Sequence, residues 1–290
     1  MSPRPSPGSQ YVLTLSCDDK PGLVHAVAGF LVGFGSNILS SQQFGDRGTG
    51  RFFMRVQFDF VGPVPPLKEL RSAFEEVADR YGMSFSFADA ATPMRTVVMV
   101  SKFGHCLNDL LYRYRMGTLN LEIPAVVSNH PDFADLVASY GLPYVHLPVT
   151  PDTKPEAEAE LLRLVAEQEV ELVVLARYMQ VLSAETCRVL AGRAINIHHS
   201  FLPSFKGAKP YHQAHDRGVK LIGATAHYVN DDLDEGPIIE QDVVRVDHQM
   251  SPEDFVAAGR DVETQVLSRA VRWHTEHRLM LNGSRTVVFR

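Results

Sequence analysis

The run Thr96-Val97-Val98-Met99-Val100 is apolar at every position after its first residue. A strand with one face in solvent alternates between apolar and polar side chains, whereas a strand covered on both faces is apolar throughout. The run therefore predicts a strand in the middle of a parallel sheet, with helices packed on both sides of it.

The chain downstream of this run alternates between short apolar segments and longer amphipathic ones. Such alternation is typical of βαβ units and of a doubly wound, mostly parallel sheet. The pattern predicts further strands at residues 122–127, 145–147, 171–175 and 194–197, and helices at residues 107–114, 133–140 and 155–168.

The last third of the chain departs from this pattern. Residues 221–229 and 238–246 alternate between apolar and polar side chains, which predicts an antiparallel pair at the edge of the sheet. Ser251 and Pro252 predict the start of a long final helix, with the serine as N-cap and the proline in the first helical position. A last strand is predicted at residues 286–289.

The first part of the chain has a different pattern of apolar and polar residues. Its predicted elements follow the order of a ferredoxin-like βαββαβ unit, so we predict an α/β protein with two domains. The strands are predicted at residues 11–16, 37–44, 51–60 and 83–88, and the helices at residues 23–34 and 66–81. The predicted divisions are a disordered Pro- and Ser-rich tail at residues 1–9, the ferredoxin-like domain at 10–88, a linker at 89–94 and the doubly wound domain at 95–290.

Composition narrows the function classes. The 290 residues carry a formal net charge of -6, so nucleic acid and anionic membrane are poor candidates for the main partner. Three widely spaced cysteines follow no zinc spacing and are too few for a disulfide framework, which favours a reducing compartment. The N-terminus has no apolar core of a signal peptide, and no apolar run is long enough to span a bilayer. We therefore expect a cytoplasmic protein.

Reactive side chains are concentrated between residues 196 and 236. Asn196 and His198 alternate with isoleucines at the end of a predicted buried strand, so both point to one face at the edge where open α/β sheets bind ligands. An acidic loop that contains Asp234 follows the next strand. An amide and an imidazole can stabilise the oxyanion formed when a formamide is hydrolysed, and a carboxylate can orient the attacking water.

The residues alone leave alternatives open. A histidine at a strand end is often only a satisfied polar residue, and an acidic loop is often a solvated turn. No serine elbow and no CxxC or HExxH motif is present, so direct attack by water fits better than an acyl-enzyme or zinc hydroxide. A metal site is also conceivable, but the histidine spacing fits no recognised template. The histidines concerned are His198, His199, His212, His215 and His227.

Two segments resemble signatures of the folate-dependent formyltransferases. Residues 195–203 resemble the motif Asn-Ile-His-x-Ser-x-Leu-Pro, and residues 231–237 resemble the motif Asp-x-Leu-Asp-x-Gly-Pro. The resemblance implies that Asn196, His198 and Asp234 are catalytic. It also implies that residues 177–183 form the folate-binding loop. The substrate-binding residues implied in this way are Met179, Gln180, Val181, Leu182, His227 and Asp231.

The chain is most similar to the formyltetrahydrofolate deformylases within that superfamily. Residues 206–214, 223–230 and 259–263 resemble these enzymes, and residues 19–24 resemble an ACT domain, so the resemblance covers the chain after residue 9. It implies hydrolysis of 10-formyltetrahydrofolate to tetrahydrofolate and formate. Such a reaction supplies formate for purine synthesis and balances the one-carbon folate pool. Folate is then the substrate, and neither a metal nor another cofactor is implied.

Two other functions remain as alternatives. The first is transfer of the formyl group to an amine such as glycinamide ribonucleotide. The loop at residues 101–106 counts against it, since Phe103 and His105 would crowd a nucleotide where the transferases have small residues. The second is a non-catalytic folate or amino-acid sensor, which would have no need for all three catalytic side chains.

Gly22 is the candidate regulatory residue of the first domain. It lies at the turn into the first helix, where it either only makes the turn or lets a ligand approach the free N–H groups of the helix. The resemblance to ACT domains favours a small amino acid, with glycine and methionine as the first candidates. Such domains often pair through their sheets, so we expect a homo-oligomer in which Asn37 helps to form the site.

Overall fold

The computed structural model describes residues 10–203 and 210–290, and the predicted tail at residues 1–9 lies outside them. The chain divides into two compact units. The first ends at Pro93 and also takes in Glu276–Asn282 and Val287–Arg290, and the second comprises Met94–Thr275 and Gly283–Thr286. The sequence had placed all of residues 95–290 in one domain, whereas the structure groups most of the last fifteen residues with the first unit.

The first unit has the predicted βαββαβ order. Its four strands form an antiparallel sheet in the order β2-β3-β1-β4. The first helix begins after Gly22, whose φ of 94° no other residue adopts readily. The elements are β1 (Gln10–Asp18), α1 (Leu23–Gly33), β2 (Ser36–Asp46), β3 (Arg51–Phe60), α2 (Leu67–Tyr81) and β4 (Ser84–Asp89).

The central strand β3 explains why the C-terminal residues belong to this unit. Its apolar side chains were predicted to alternate with polar ones, but Phe53 and Arg55 on the second face are also buried. Phe53 packs with Val287 and Phe289. The Arg55 guanidinium donates to the carbonyl oxygens of Glu276 at 3.0 Å and of residue 277 at 3.1 Å. The C-terminal segment thus covers the face of β3 that a two-layer unit leaves open.

The second unit contains an eight-stranded sheet in the order β12-β11-β10-β9-β5-β7-β8, with β6 beside β5. Strands β5 to β10 are parallel, and β11 and β12 are antiparallel at the edge, as predicted. The strands are β5 (Met94–Val100), β6 (Leu121–Glu122), β7 (Val126–Ser128), β8 (Tyr144–His146), β9 (Leu172–Leu175), β10 (Ala194–His198), β11 (Leu221–Tyr228) and β12 (Ile238–Arg245).

The helices of this unit flank the sheet. They are α3 (His105–Arg115), α4 (Ala134–Ala138), α5 (Lys154–Glu167), α6 (Ala184–Val189), α7 (Pro210–Asp216) and α8 (Pro252–Thr275). The predicted start of α8 is confirmed: Ser251 Oγ accepts from the backbone N–H of Asp254 at 3.2 Å, which caps the helix. No helix within the described residues is long and apolar enough to cross a membrane.

Three details differ from the sequence prediction. The strand predicted at residues 122–127 is two short strands, β6 and β7, because Pro124 between them has no N–H for a ladder bond. The short helices α6 and α7 were not predicted. The chain ends in a hairpin of β13 (Leu279–Asn282) and β14 (Arg285–Val288), where only the second strand was expected.

Aromatic packing in the first unit gives a stability prediction. The buried ring of Phe74 on α2 contacts the rings of Phe30, Phe85 and Phe87 edge-on, at centroid distances of 4.9, 4.8 and 5.5 Å. Phe74→Ala leaves a cavity among these rings, so we expect a loss of about 3–5 kcal/mol in the free energy of unfolding. Urea titration measures it.

Val61→Ala is the matched control, because Val61 lies in the same unit and is 82% exposed. We expect it to change the unfolding free energy by less than about 0.5 kcal/mol. Equal effects of the two substitutions would contradict the assigned core.

Candidate active site

A cavity of about 650 Å³ lies in the second unit, at the carboxyl ends of β9 and β10. This is the edge at which an open α/β sheet binds ligands. Its wall is formed by the loops after β5 and β9, by the end of β10 with the loop between β11 and β12, and by residues of α3, α6, α7 and α8. Each part contributes different chemistry.

Strand pairing places the first reactive groups. Asn196 and His198 lie two residues apart on β10 and both line the cavity. Asn196 stands directly opposite His227 in the antiparallel pair of β10 and β11. The amide nitrogen Nδ2 of Asn196 therefore lies 3.2 Å from Nε2 of His227.

The loop between β11 and β12 brings in Asp234. The chain turns back so sharply that a Cβ on Gly236 would lie 1.7 Å from the carbonyl oxygen of Tyr228. Only glycine fits there, which explains the Gly-Pro end of the loop. Asp234 itself has a φ of 58°, an uncommon backbone conformation that aspartate tolerates better than most residues.

Asp234 stands between two imidazoles. Its Oδ2 lies 3.1 Å from Nδ1 of His198, and its Oδ1 lies 3.6 Å from Nε2 of His227. Nδ1 of His227 donates to the Tyr228 carbonyl oxygen at 2.9 Å. Nε2 of His227 therefore faces both the Asp234 carboxylate and the Asn196 amide, and at least one N–H of that amide is left to donate to a ligand.

The charge state of this group follows from its surroundings. Burial alone would raise the pKa of Asp234, but the hydrogen bonds and charges of His198 and His227 outweigh it and hold that pKa well below its usual range. The carboxylate is thus ionised at neutral pH. Nε2 of His198, on the far side of the ring from Asp234, is buried and has no hydrogen-bond partner among the described residues. A cavity ligand can take this position.

The loop after β9 is anchored at both ends. At its start, the Met179 N–H donates to Ser101 Oγ at 2.9 Å, and the Ser101 N–H donates to the Arg177 carbonyl at 3.2 Å. At its end, Glu158 on α5 accepts from the backbone N–H of Ser183 at 3.0 Å. A loop held in this way presents a preformed surface to a ligand.

All nine predicted catalytic and substrate-binding residues line the same cavity. Met179 and Val181 are half exposed at its wall, and Leu182 is buried. The two predicted regulatory residues lie in the first unit, where Gly22 precedes α1 and the Asn37 amide donates to Asp59 at 3.2 Å. The nine are Asn196, His198, Asp234, Met179, Gln180, Val181, Leu182, His227 and Asp231.

A fully buried carboxylate in the cavity wall, Glu263, was not predicted from the sequence. Glu263 on α8 lies 2.7 Å from Nε2 of His105, accepts from the Tyr211 hydroxyl at 2.7 Å and lies 3.3 Å from Nε of Arg177. These residues are far apart in sequence, so no local motif links them. The available signal was a glutamate on the apolar face of a helix, which is rarely buried without partners.

His105, Cys106 and Glu263 also place a nitrogen, a sulfur and an oxygen within 4.8 Å of one another. These three side chains make a poor metal site. Burial and the charge of Glu263 raise the pKa of the Cys106 thiol well above its usual value, and Arg177 places a positive charge beside Glu263. A hydrogen-bonded network explains these side chains better than a cation site.

Comparison with known proteins follows the same division of the chain. A formyl transferase family model matches residues 94–271, and an ACT domain model matches residues 11–79. A formyltetrahydrofolate deformylase of Corynebacterium sp. (strain P-1) is 56% identical over 283 residues, which are 97% of this chain and 98% of that protein. The chain belongs to the formyltetrahydrofolate deformylase family.

Solved structures agree with membership of this family. The crystal structure of a formyltetrahydrofolate deformylase from Burkholderia mallei superposes with a TM-score of 0.93 at 54% identity, covering 97% of this chain and all of that one. A glycinamide ribonucleotide transformylase from Symbiobacterium toebii reaches a TM-score of 0.64 at 29% identity and covers 69% of this chain and 95% of that one. The transformylase is therefore a more distant relative.

The site also generates a pH prediction for His199. Burial, then the charge of Arg177, lowers the pKa of His199 to about 4. The unfolded chain binds a proton at this histidine below pH ~6.5, whereas the folded chain binds it only below about 4. The free energy of unfolding therefore decreases as the pH is lowered from ~6.5 to about 4. We expect His199→Gln to remove up to about 3 kcal/mol of this pH dependence. Denaturant titrations at several pH values measure the slope, and an unchanged slope would contradict the assigned burial of the ring.

Proposed function

We propose that the chain hydrolyses 10-formyltetrahydrofolate to tetrahydrofolate and formate, with Asn196, His198 and Asp234 as catalytic residues. The observation that carries the proposal is the pairing of Asp234 with Nδ1 of His198, while Nε2 of the same ring lies in the cavity wall with no hydrogen-bond partner in the part of the chain that the structure describes. In this role the protein supplies formate for purine synthesis and balances the folate pool.

Attack by water forms the first half of the reaction. The carboxylate of Asp234 stabilises the His198 imidazolium, which donates from Nε2 to the formyl oxygen. The free N–H of Asn196 donates to the same oxygen, so two fixed donors meet the developing oxyanion. Asp234 orients the water and takes up one of its protons as the oxygen adds to the formyl carbon.

Departure of the amine completes the reaction. The bond between the formyl carbon and N10 breaks, its electron pair goes to N10, and His198 supplies the proton that N10 needs. Formic acid ionises to formate, and the proton held by Asp234 returns to His198. One water is consumed and one proton is released. All the groups involved are side chains, so we propose that no cofactor is required.

Folate binding is assigned to the loop after β9. Met179, Val181 and Leu182 offer apolar surface, and Gln180 offers an amide, on a loop fixed by Ser101 and Glu158. A flat heteroaromatic ring with polar edges suits such a wall, since apolar area supplies binding energy and a few polar groups fix orientation. His227 and Asp231 complete the site beside the reacting carbon.

Asp234→Asn tests the mechanism. The variant keeps the size of the side chain but neither stabilises the imidazolium nor accepts a proton from water, so we expect kcat to fall at least about 10²-fold with little change in folate affinity. Asn196→Ala is expected to lose a comparable factor through the oxyanion. Stopped assays that quantify tetrahydrofolate and formate separately, without added amine, give the rates.

Asp261→Asn is the control, because Asp261 is an exposed carboxylate of the same unit that does not line the cavity. Its kcat should stay close to that of the unchanged chain. Turnover at the original rate in Asp234→Asn or His198→Ala would refute the mechanism. Failure of the unchanged chain to release formate from 10-formyltetrahydrofolate would refute the reaction.

We further propose that the ACT unit binds a small amino acid, with glycine and methionine as first candidates, and changes the hydrolysis rate. Gly22 leaves the N-terminus of α1 open to a carboxylate, since no side chain caps it. The Lys20 ammonium lies 5.4 Å from the centroid of the Tyr81 ring, whose hydroxyl lies 3.5 Å from the Cβ position of Gly22. We place the site between paired units of a homo-oligomer, where Asn37 contributes.

Gly22→Val tests this regulation. A side chain at this position would occupy the approach to the helix N-terminus, so we expect the response of the hydrolysis rate to amino acids to be lost. Calorimetry with glycine and methionine, together with light scattering for the oligomeric state, measures binding and pairing.

Gly141→Val is the control, because Gly141 also has a positive φ, of 72°, but lies in the second unit between α4 and β8. It carries similar backbone strain away from the site. An intact chain that binds no amino acid, or equal losses in both variants, would show that Gly22 only makes the turn.

A further inference from the structure

The network around Glu263 joins four separate parts of the second unit. Glu263 comes from α8, His105 from the start of α3, Arg177 from the loop after β9 and Tyr211 from α7. The Glu263 side chain is 1% exposed, so its charge depends on these partners. Burial alone would raise its pKa, but His105, Arg177 and Tyr211 lower it below the usual value. The carboxylate is therefore ionised and already engaged.

Helix α8 also provides a slot for the Tyr211 ring. Gly259 lies one turn before Glu263, on the same face of the helix. A Cβ at Gly259 would lie 2.2 Å from the nearest atom of the Tyr211 ring, so the ring packs directly on the helix backbone. The glycine thus accommodates the ring, and the glutamate four residues later holds its hydroxyl. Tyr211 has one position, fixed at two points.

This network lies beside the reacting groups. The rings of His198 and His199 are 5.1 Å apart, and the rings of His199 and Tyr211 are 6.3 Å apart. Under the proposed function, on which this inference rests, the loop after β9 holds the folate and Asp234 holds the water. The remaining wall, with His105 and Tyr211, we call the acceptor side, because it bounds the space left for the rest of an acceptor larger than water.

An amine acceptor needs more from that side than water does. It needs space for its substituents and an acceptor for its N–H groups. Glu263 offers neither, because Tyr211 contacts one of its oxygens while His105 and Arg177 contact the other, so protein groups already surround the carboxylate. An amine would have to displace Tyr211 or His105, which would leave a buried charge without its partners.

We propose that Glu263, with Gly259, is a positioning residue that determines specificity: it holds Tyr211 and His105 across the acceptor side of the cavity, which admits water and excludes amines. Hydrolysis in place of formyl transfer then depends on these fixed rings. Shortening or releasing Tyr211 opens the cavity to small primary amines.

The experiment measures a ratio of two products. The full-length chain is given 10-formyltetrahydrofolate in the presence of glycinamide, and mass spectrometry quantifies formate and N-formylglycinamide against a reaction without enzyme. We expect the unchanged chain to give formate alone. Tyr211→Ala should give at least about one formylated amine for every ten formates, and Glu263→Gln a smaller but measurable share.

The ratio separates positioning from folding. Both products come from the same active molecules, so partial misfolding lowers their sum and leaves their ratio unchanged. Tyr211→Phe keeps the ring and removes only the hydroxyl, and it replaces Tyr211→Ala if that chain does not fold. Tyr144→Ala is the control, because Tyr144 on β8 contacts the backbone of His130 and does not line the cavity.

Two results would overturn the inference: an unchanged chain that formylates glycinamide as readily as the variants, or variants that still produce formate alone. Formate absent from the unchanged chain would instead overturn the proposed function, so the two failures are distinguishable.

Discussion

The antiparallel pairing of β10 with β11 is the constraint on which the site depends. It sets Asn196 opposite His227 and returns the chain over the end of β10, so that Asp234 reaches two histidines. A parallel neighbour would need a long crossover and would place its following loop elsewhere. Gly236 makes the return possible, because the backbone passes too close to Tyr228 for any side chain. Strand direction and one glycine thus assemble the chemistry.

Two carboxylates in the cavity wall are paired with histidines, the half-buried Asp234 and the fully buried Glu263, and the nitrogen that each one contacts gives it a different role. Asp234 contacts His198 at Nδ1, which leaves Nε2 for a substrate. Glu263 contacts His105 at Nε2, at 2.7 Å. Both carboxylates are ionised, since a buried charge is tolerated only with close partners. The first pair presents a reactive nitrogen, and the second fixes the wall around it.

Much of the fold could be predicted from the sequence, because the buried face of a helix or strand makes apolar residues recur at the spacing of that element. The apolar run at residues 96–100, the edge pair β11 and β12, and the cap at Ser251 were each expected from local pattern. Errors occurred where local pattern competes with other constraints. Pro124 divides a strand, and the short helices α6 and α7 are too brief to show a period. The C-terminal segment that covers the second face of β3 is more than two hundred residues away along the chain.

The sequence by itself determined the two-part α/β organisation and the residues that meet at the end of β10, since these follow from strand periodicity and from two compact motifs. Only the tertiary structure decided the contacts: which histidine nitrogen faces Asp234, which ring lies on Gly259 and which groups engage Glu263. The physical reason is range. Periodicity is a property of neighbours along the chain, whereas a hydrogen bond between side chains 158 residues apart, such as that of His105 with Glu263, depends on where the packed helices place them.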